Sequence, residues 1–232
     1  MVERDCPAIL VRLREMGSPE NVAAMARYGI SSHGTLGVSV YELRRMAKDI
    51  GADHAVAAEL WSSGIHEARL LAVFVDRPAL VGGAQMESWA ADFDSWDVCD
   101  QACTSLFDRA APAWEKALEW PSRSELLVRR GGYALMAGLA VHDKEAADER
   151  FGELLAVVVQ EADDDRGLVK KGASWALRNI GKRSADLHAA AIDAAERIAV
   201  HDSRGARWIA SDVLRELRSE KVLRRLGLVS GR

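Results

Sequence analysis

Apolar residues return every three or four positions along nearly the whole chain, and that rhythm leaves room for little but helices. Ala8-Ile9-Leu10-Val11-Leu13, Val40-Leu43-Met46-Ala47-Ile50 and Phe151-Leu154-Leu155-Val158 each gather their apolar groups on one side of a helix. No stretch alternates apolar and polar residues between hairpin turns, so the chain offers no convincing strand. Helix starts are written at Ser18-Pro19-Glu20, Ser122-Arg123-Ser124-Glu125 and Ser203, and Gly64, Gly181 and Gly227 suit helix ends.

These marks predict helices at 4–16, 19–28, 39–51, 53–63, 65–76, 84–92, 95–109, 111–119, 123–140, 147–162, 166–181, 185–200, 204–218 and 220–226. Short helices joined by tight loops suit antiparallel pairs stacked on one another, each burying an apolar face against its neighbours. No clean period recurs, so any repeats are degenerate. Periodicity alone does not separate such an array from a globular bundle.

With 49% hydrophobic and 28% charged residues in 232, the chain has the composition of a soluble globular protein with one sizeable core or an elongated array. No apolar run approaches the roughly 18 residues of a membrane span. The start Met1-Val2-Glu3-Arg4-Asp5 lacks a signal peptide's basic and apolar regions, and the expected location is the cytoplasm. Cys6, Cys99 and Cys103 are too few for a disulfide framework. Cys99 and Cys103 stand one helical turn apart, but no nearby histidine completes a metal site, and core packing is the better reading.

The net charge of −4 hides a segregation. Residues 166–232 hold 15 Lys and Arg against 7 Asp and Glu, while residues 1–165 hold 16 against 28. A surface that grips phosphates while the remainder stays acidic would produce this pattern. Solvated helix faces with cations near helix ends account for it equally well.

Three segments combine aromatic, acidic and basic groups. Ser95-Trp96-Asp97-Val98-Cys99-Asp100 places Trp96 and Asp100 four residues apart, hence on one helix face. Val128-Arg129-Arg130-Gly131-Gly132-Tyr133 brings paired guanidiniums into a helical run, and Lys170 to Arg178 sets cations around Trp175. Gly131 and Gly132 each cost roughly 1 kcal/mol relative to alanine inside a helix, which close backbone packing would offset.

These segments, with Met25-Ala26-Arg27-Tyr28, Gly37-Val38 and Glu42-Leu43-Arg44-Arg45 upstream, resemble the AlkD-type DNA alkylation repair glycosylases in order and separation over residues 19 to 182. The resemblance implies an all-α fold: a curved α-α superhelix, or solenoid, of degenerate HEAT-like repeats around a concave DNA-binding groove. It implies one HEAT-like-repeat glycosylase domain over residues 1–232, with an N-terminal helix in 1–18 and a C-terminal tail in 220–232. Ser95 departs from the pattern, because some relatives carry another aromatic before the tryptophan.

Carried onto matching positions, the resemblance gives Asp100 the catalytic carboxylate role, beside a deoxyribose that develops positive charge. Trp96 and Trp175 would flank a cationic lesion with electron-rich ring faces. On residue type alone core packing is the better account of both rings, and the resemblance reverses that for these two only. Arg130 matches a phosphate-contacting arginine, with Arg129 a weaker candidate. Lys170, Lys171, Arg178, Lys182 and Arg183 suit nonspecific backbone attraction.

Arg204 and Arg207 open a helix whose free amides suit a phosphate, although an ordinary capped helix fits equally. Tyr28 lines the groove or is buried. Asp97 reads as a helix-start or supporting charge, Asp163-Asp164-Asp165 as a solvated turn rather than a metal loop, and His142-Asp143 as a pair that no nucleophile completes.

The expected protein is a monomeric, cofactor-independent and metal-free DNA glycosylase. Its expected partner is double-stranded DNA containing alkylated bases, with no membrane association, and its reaction removes N3- or N7-alkylpurines without flipping them into a pocket. A catalytically silent HEAT-like module that binds DNA structures or scaffolds proteins is the alternative, since fold alone does not carry function.

Overall fold

The computed structural model describes residues 5–229, and among them every regular element is helical. The predicted first helix starts at Arg4, which lies outside the described residues, as do Met1 to Glu3 and the last three residues of the predicted tail. The described chain falls into two compact units that divide between Ala111 and Pro112.

The first unit contains α1 (Cys6–Glu15), α2 (Pro19–Ala26), α3 (Val40–Ile50), α4 (His54–Ser62), α5 (His66–Val75), α6 (Gly83–Ala91) and α7 (Trp96–Ser105). Local sequence sets several starts. Asp5 accepts from the Ala8 amide, Ser18 from Asn21, and Asp53 from Ala55 and Val56, while Ser39 and Glu42 form a reciprocal capping box. The unit is built around α5, whose Ala68, Leu70, Leu71, Ala72, Val73 and Val75 are all buried and which packs against α3, α4 and α7. Trp61 stacks on Trp89 with ring centroids 4.0 Å apart.

The long connection from α2 to α3 has no ladder to satisfy its amides, and a carboxylate does so instead. Fully buried Glu67 of α5 accepts from the amides of Leu36, at 2.8 Å, and Gly37, at 2.6 Å. Gly37 has φ 84°, and a side chain there would meet the Ser18 carbonyl.

The second unit contains α8 (Ala113–Glu119), α9 (Leu126–His142), α10 (Asp148–Gln160), α11 (Gly167–Ile180), α12 (Ala185–Ala199), α13 (Arg204–Leu217) and α14 (Glu220–Arg225). Here α9 is the central helix, buried continuously from Arg130 to Ala140 and flanked by α8 and α11, while α13 packs on α11 and α12. Gly132 is explained by close approach: a Cβ there would stand 2.5 Å from Pro121 Cδ.

The predicted boundaries are met within a few residues, with two corrections. The 95–109 helix breaks at Leu106 (φ −138°, ψ −62°), and a separate 3-10 turn, Phe107–Arg109, follows. Leu106 and Phe107 at the break are both fully buried. The Ser122 to Glu125 start is displaced: Trp120–Ser122 forms a 3-10 turn that buries Trp120 and Pro121, and α9 begins after Glu125 without a side-chain cap. Gly181 ends α11 in a right-handed conformation rather than a left-handed one, and its bareness serves packing, because a Cβ would crowd Ala191 and Leu217.

Candidate nucleic-acid interface

In the first unit the candidate groups sit on α7. Val98, Cys99, Ala102 and Cys103 form its buried side, so both cysteines are core residues, whereas Trp96 and Asp100 share a half-exposed flank one turn apart. The start of α7 is braced from within. Ser95 donates its hydroxyl to Asp97 Oδ1 at 2.6 Å, and Asp97 Oδ2 lies 3.0 Å from Nε2 of buried His66 on α5.

Burial acts to raise the Asp97 carboxyl, but the His66 imidazole, the Ser95 hydroxyl and the Val98 amide outweigh it and hold the group below the usual carboxylate range. Burial likewise acts to lower His66, and the Asp97 carboxylate, with Glu67 and Asp94 behind it, reverses the balance and raises the imidazole. Asp97 is therefore the supporting charge that its position suggested, and His66 is its partner.

Trp96 is anchored at its polar edge, where Nε1 donates to the Tyr28 carbonyl at 3.0 Å. The ring's orientation is thus fixed by the loop after α2. The Tyr28 ring itself is 75% exposed, which removes the buried reading.

In the second unit Arg130 is 7% exposed, and its Nη1 donates to the Leu168 carbonyl at 2.7 Å. Arg129 is committed to the fold: it donates to Glu161 Oε2 at 2.8 Å, and its Nε lies 3.2 Å from Asp164 Oδ2. The acidic run is the turn expected, with Asp163 and Asp165 exposed, and it also serves as a hub. Asp164 forms ion pairs with both Arg129 and Arg166, Asp163 Oδ1 lies 3.0 Å from His201 Nδ1, and Asp165 receives the Gly205 amide. Burial acts to raise the Asp164 carboxyl, and its arginine partners overcome that and lower it.

This hub corrects the phosphate site expected at α13. The Gly205 amide is taken by Asp165 and the Ala206 amide by the Ser203 hydroxyl at 3.2 Å, so the donors proposed for a phosphate already have acceptors. Arg204 and Arg207 are exposed at this helix start, and Arg207 pairs with Asp202 at 3.4 Å.

Half-buried Trp175 lies on α11, four residues after exposed Lys171 and three before Arg178. Lys170 lies over the Trp208 ring, 5.4 Å from its centroid. Arg178 reaches Glu216 at 2.9 Å and Asp212 at 3.3 Å, and Lys182 reaches Glu216 at 2.7 Å, so both cations tie α11 to α13. These partners outweigh the effect of burial and lower the Glu216 carboxyl.

Arg183 also serves the fold. It donates to the carbonyls of Ala140, Lys144 and Ala146 around the end of α9 and covers the Phe151 ring, 4.4 Å from its centroid. Sequence reasoning missed His66 and the Asp163–Asp165 hub, because Asp97, His201 and Gly205, which complete them, lie 31 to 40 residues away in the chain.

The all-helical architecture is that of HEAT-like repeat proteins. A solved structure aligns with a TM-score of 0.75 at 16% identity over 96% of both chains, from a family described as related to the HEAT-like repeat DNA glycosylases with affinity for branched DNA structures. The chain belongs to the DNA alkylation repair enzyme family, which it matches over residues 9–217. No curated protein matches it.

Proposed function

We propose that the protein is a monofunctional DNA glycosylase that hydrolyses the N-glycosidic bond of cationic N3- or N7-alkylpurines in duplex DNA. The observation that carries this reading is the pairing of Trp96 and Asp100 on one half-exposed flank of α7, with Trp96 fixed by Tyr28 and the helix start by Asp97 and His66.

An alkylated purine already carries positive charge, so the C1′–N9 bond breaks with its electron pair going to the base, which leaves neutral. Positive charge then develops on the sugar, where the Asp100 carboxylate stabilises it. A water oxygen bonds to C1′, and its proton is released toward the carboxylate. Trp96 favours the charged base by cation–aromatic attraction worth about 0.5–2 kcal/mol, and the family resemblance assigns Trp175 the same kind of attraction. Exposed Lys171 and Arg204 supply phosphate attraction, which sets register without reading sequence, whereas Arg130, expected to share that role, is buried and donates to the Leu168 carbonyl. The lesion is engaged without rotation into a pocket, and the monomeric enzyme acts without cofactor or metal.

The test is release of 7-methylguanine from a duplex, compared between wild type and Asp100→Asn. A second reading has its own support in the structural likeness to a protein with affinity for branched DNA: a catalytically silent binder of DNA junctions. Tight binding to a four-way junction with no base release from any alkylated duplex would select that reading.

A further inference from the structure

The second unit contains a cavity of 490 Å³ that none of the proposed catalytic groups lines. Its wall carries Lys144, Asp148, Asn179, Lys182, Arg183 and Arg225. The volume falls within the range of sites that hold small ligands, but the lining is cationic rather than apolar, so the fitting occupant is an anion.

The charge balance within the wall is uneven. Lys182 is neutralised by Glu216 at 2.7 Å, and Arg183 faces Asp148 at 3.6 Å. Lys144 and Arg225 are exposed and form no ion pair among the described residues. Two positive charges therefore face the cavity without a counter-charge. Its frame is fixed beforehand, because Arg183 holds the carbonyls of Ala140, Lys144 and Ala146, and Asn179 donates to the Ala137 carbonyl at 3.3 Å. The cavity is also aligned with Trp175. Asn179 follows that ring by four residues on the same side of α11, roughly 6 Å along its axis, and Lys182 lies two residues past the helix end. Successive phosphates of a DNA strand are spaced on a comparable scale.

We propose that this cavity is a phosphate site that takes a backbone phosphodiester of the bound DNA, held by Lys144 and Arg225 on a frame built by Arg183 and Lys182. The proposal rests on the DNA-binding part of the function given above. It assigns a phosphate contact to two residues outside the catalytic groups.

The experiment measures binding of an undamaged duplex across a salt series for wild type, the double variant Lys144→Gln/Arg225→Gln, and Lys221→Gln, which removes an exposed cation of α14 outside the cavity. A parallel series follows melting temperature with added inorganic phosphate. The double variant should lose about tenfold in affinity at low salt and about one unit of salt slope, with Lys221→Gln close to wild type. Unchanged binding in the double variant, or an equal loss in Lys221→Gln, overturns the site and leaves the glycosylase reading standing.

If wild type binds no DNA, the DNA reading fails and the phosphate series decides. Stabilisation by phosphate that depends on Lys144 and Arg225 would keep the cavity as a site for a free phosphorylated molecule, and its absence would overturn the cavity as well.

Discussion

His66 Nε2 lies 3.0 Å from Asp97 Oδ2, and this buried contact between α5 and α7 fixes the end of the helix that presents Trp96 and Asp100. The imidazole is raised and the carboxyl lowered, so each group favours the charge of the other.

That pairing makes stability depend on pH. The His66 contribution is complete below its unfolded value of 6.5 and fades as pH rises through the higher folded value. The Asp97 contribution is complete above 3.8 and is lost as pH falls through the lower folded value. Melting temperature should therefore decline on raising the pH from about 6, and more steeply in wild type than in His66→Gln. Asp97→Asn should cost about 1–3 kcal/mol in urea unfolding near neutral pH.

Two glycines predict opposite outcomes. Gly132→Ala forces a methyl against Pro121 and should destabilise by about 1–3 kcal/mol. Gly152, on the exposed side of α10, has open space around a Cβ, and Gly152→Ala should stabilise by about 0.5–1 kcal/mol. Urea unfolding of both variants checks the pair.

Trp175 and Trp208 are neighbours of the same lysine-rich turn with different assigned roles. Trp175→Ala should slow single-turnover release of 7-methylguanine by about 2–30-fold, the kinetic equivalent of one lost cation–aromatic contact. Trp208→Ala, which removes only the ring beneath Lys170, should leave that rate near wild type.

Both adjacent arginines are tied into the fold. Arg129→Ala breaks contacts to Glu161 and Asp164 and should lower the melting temperature while leaving the salt slope of DNA binding unchanged. Arg130→Ala empties a site only 7% exposed and removes the donor to the Leu168 carbonyl, so it should lower the melting temperature as well.

The helices were legible because their determinants are local. Ser18, Ser39 and Ser203 cap the helices that follow them, and the shared flank of Trp96 and Asp100 follows from their four-residue spacing. The breaks at Leu106 and before Leu126 were not legible, since core burial of Phe107 and Trp120 decides them. The Gly205 amide of α13 looked available because its acceptor, Asp165, is forty residues upstream. Arg183 looked like a DNA contact because only the folded chain brings the carbonyls of α9 to its guanidinium.

The most direct test is single-turnover release of 7-methylguanine from duplex DNA by wild type and Asp100→Asn, with DNA affinity measured alongside. The carboxylate role predicts a rate loss of about 10²-fold or more with binding retained. Equal release by the two proteins would contradict it.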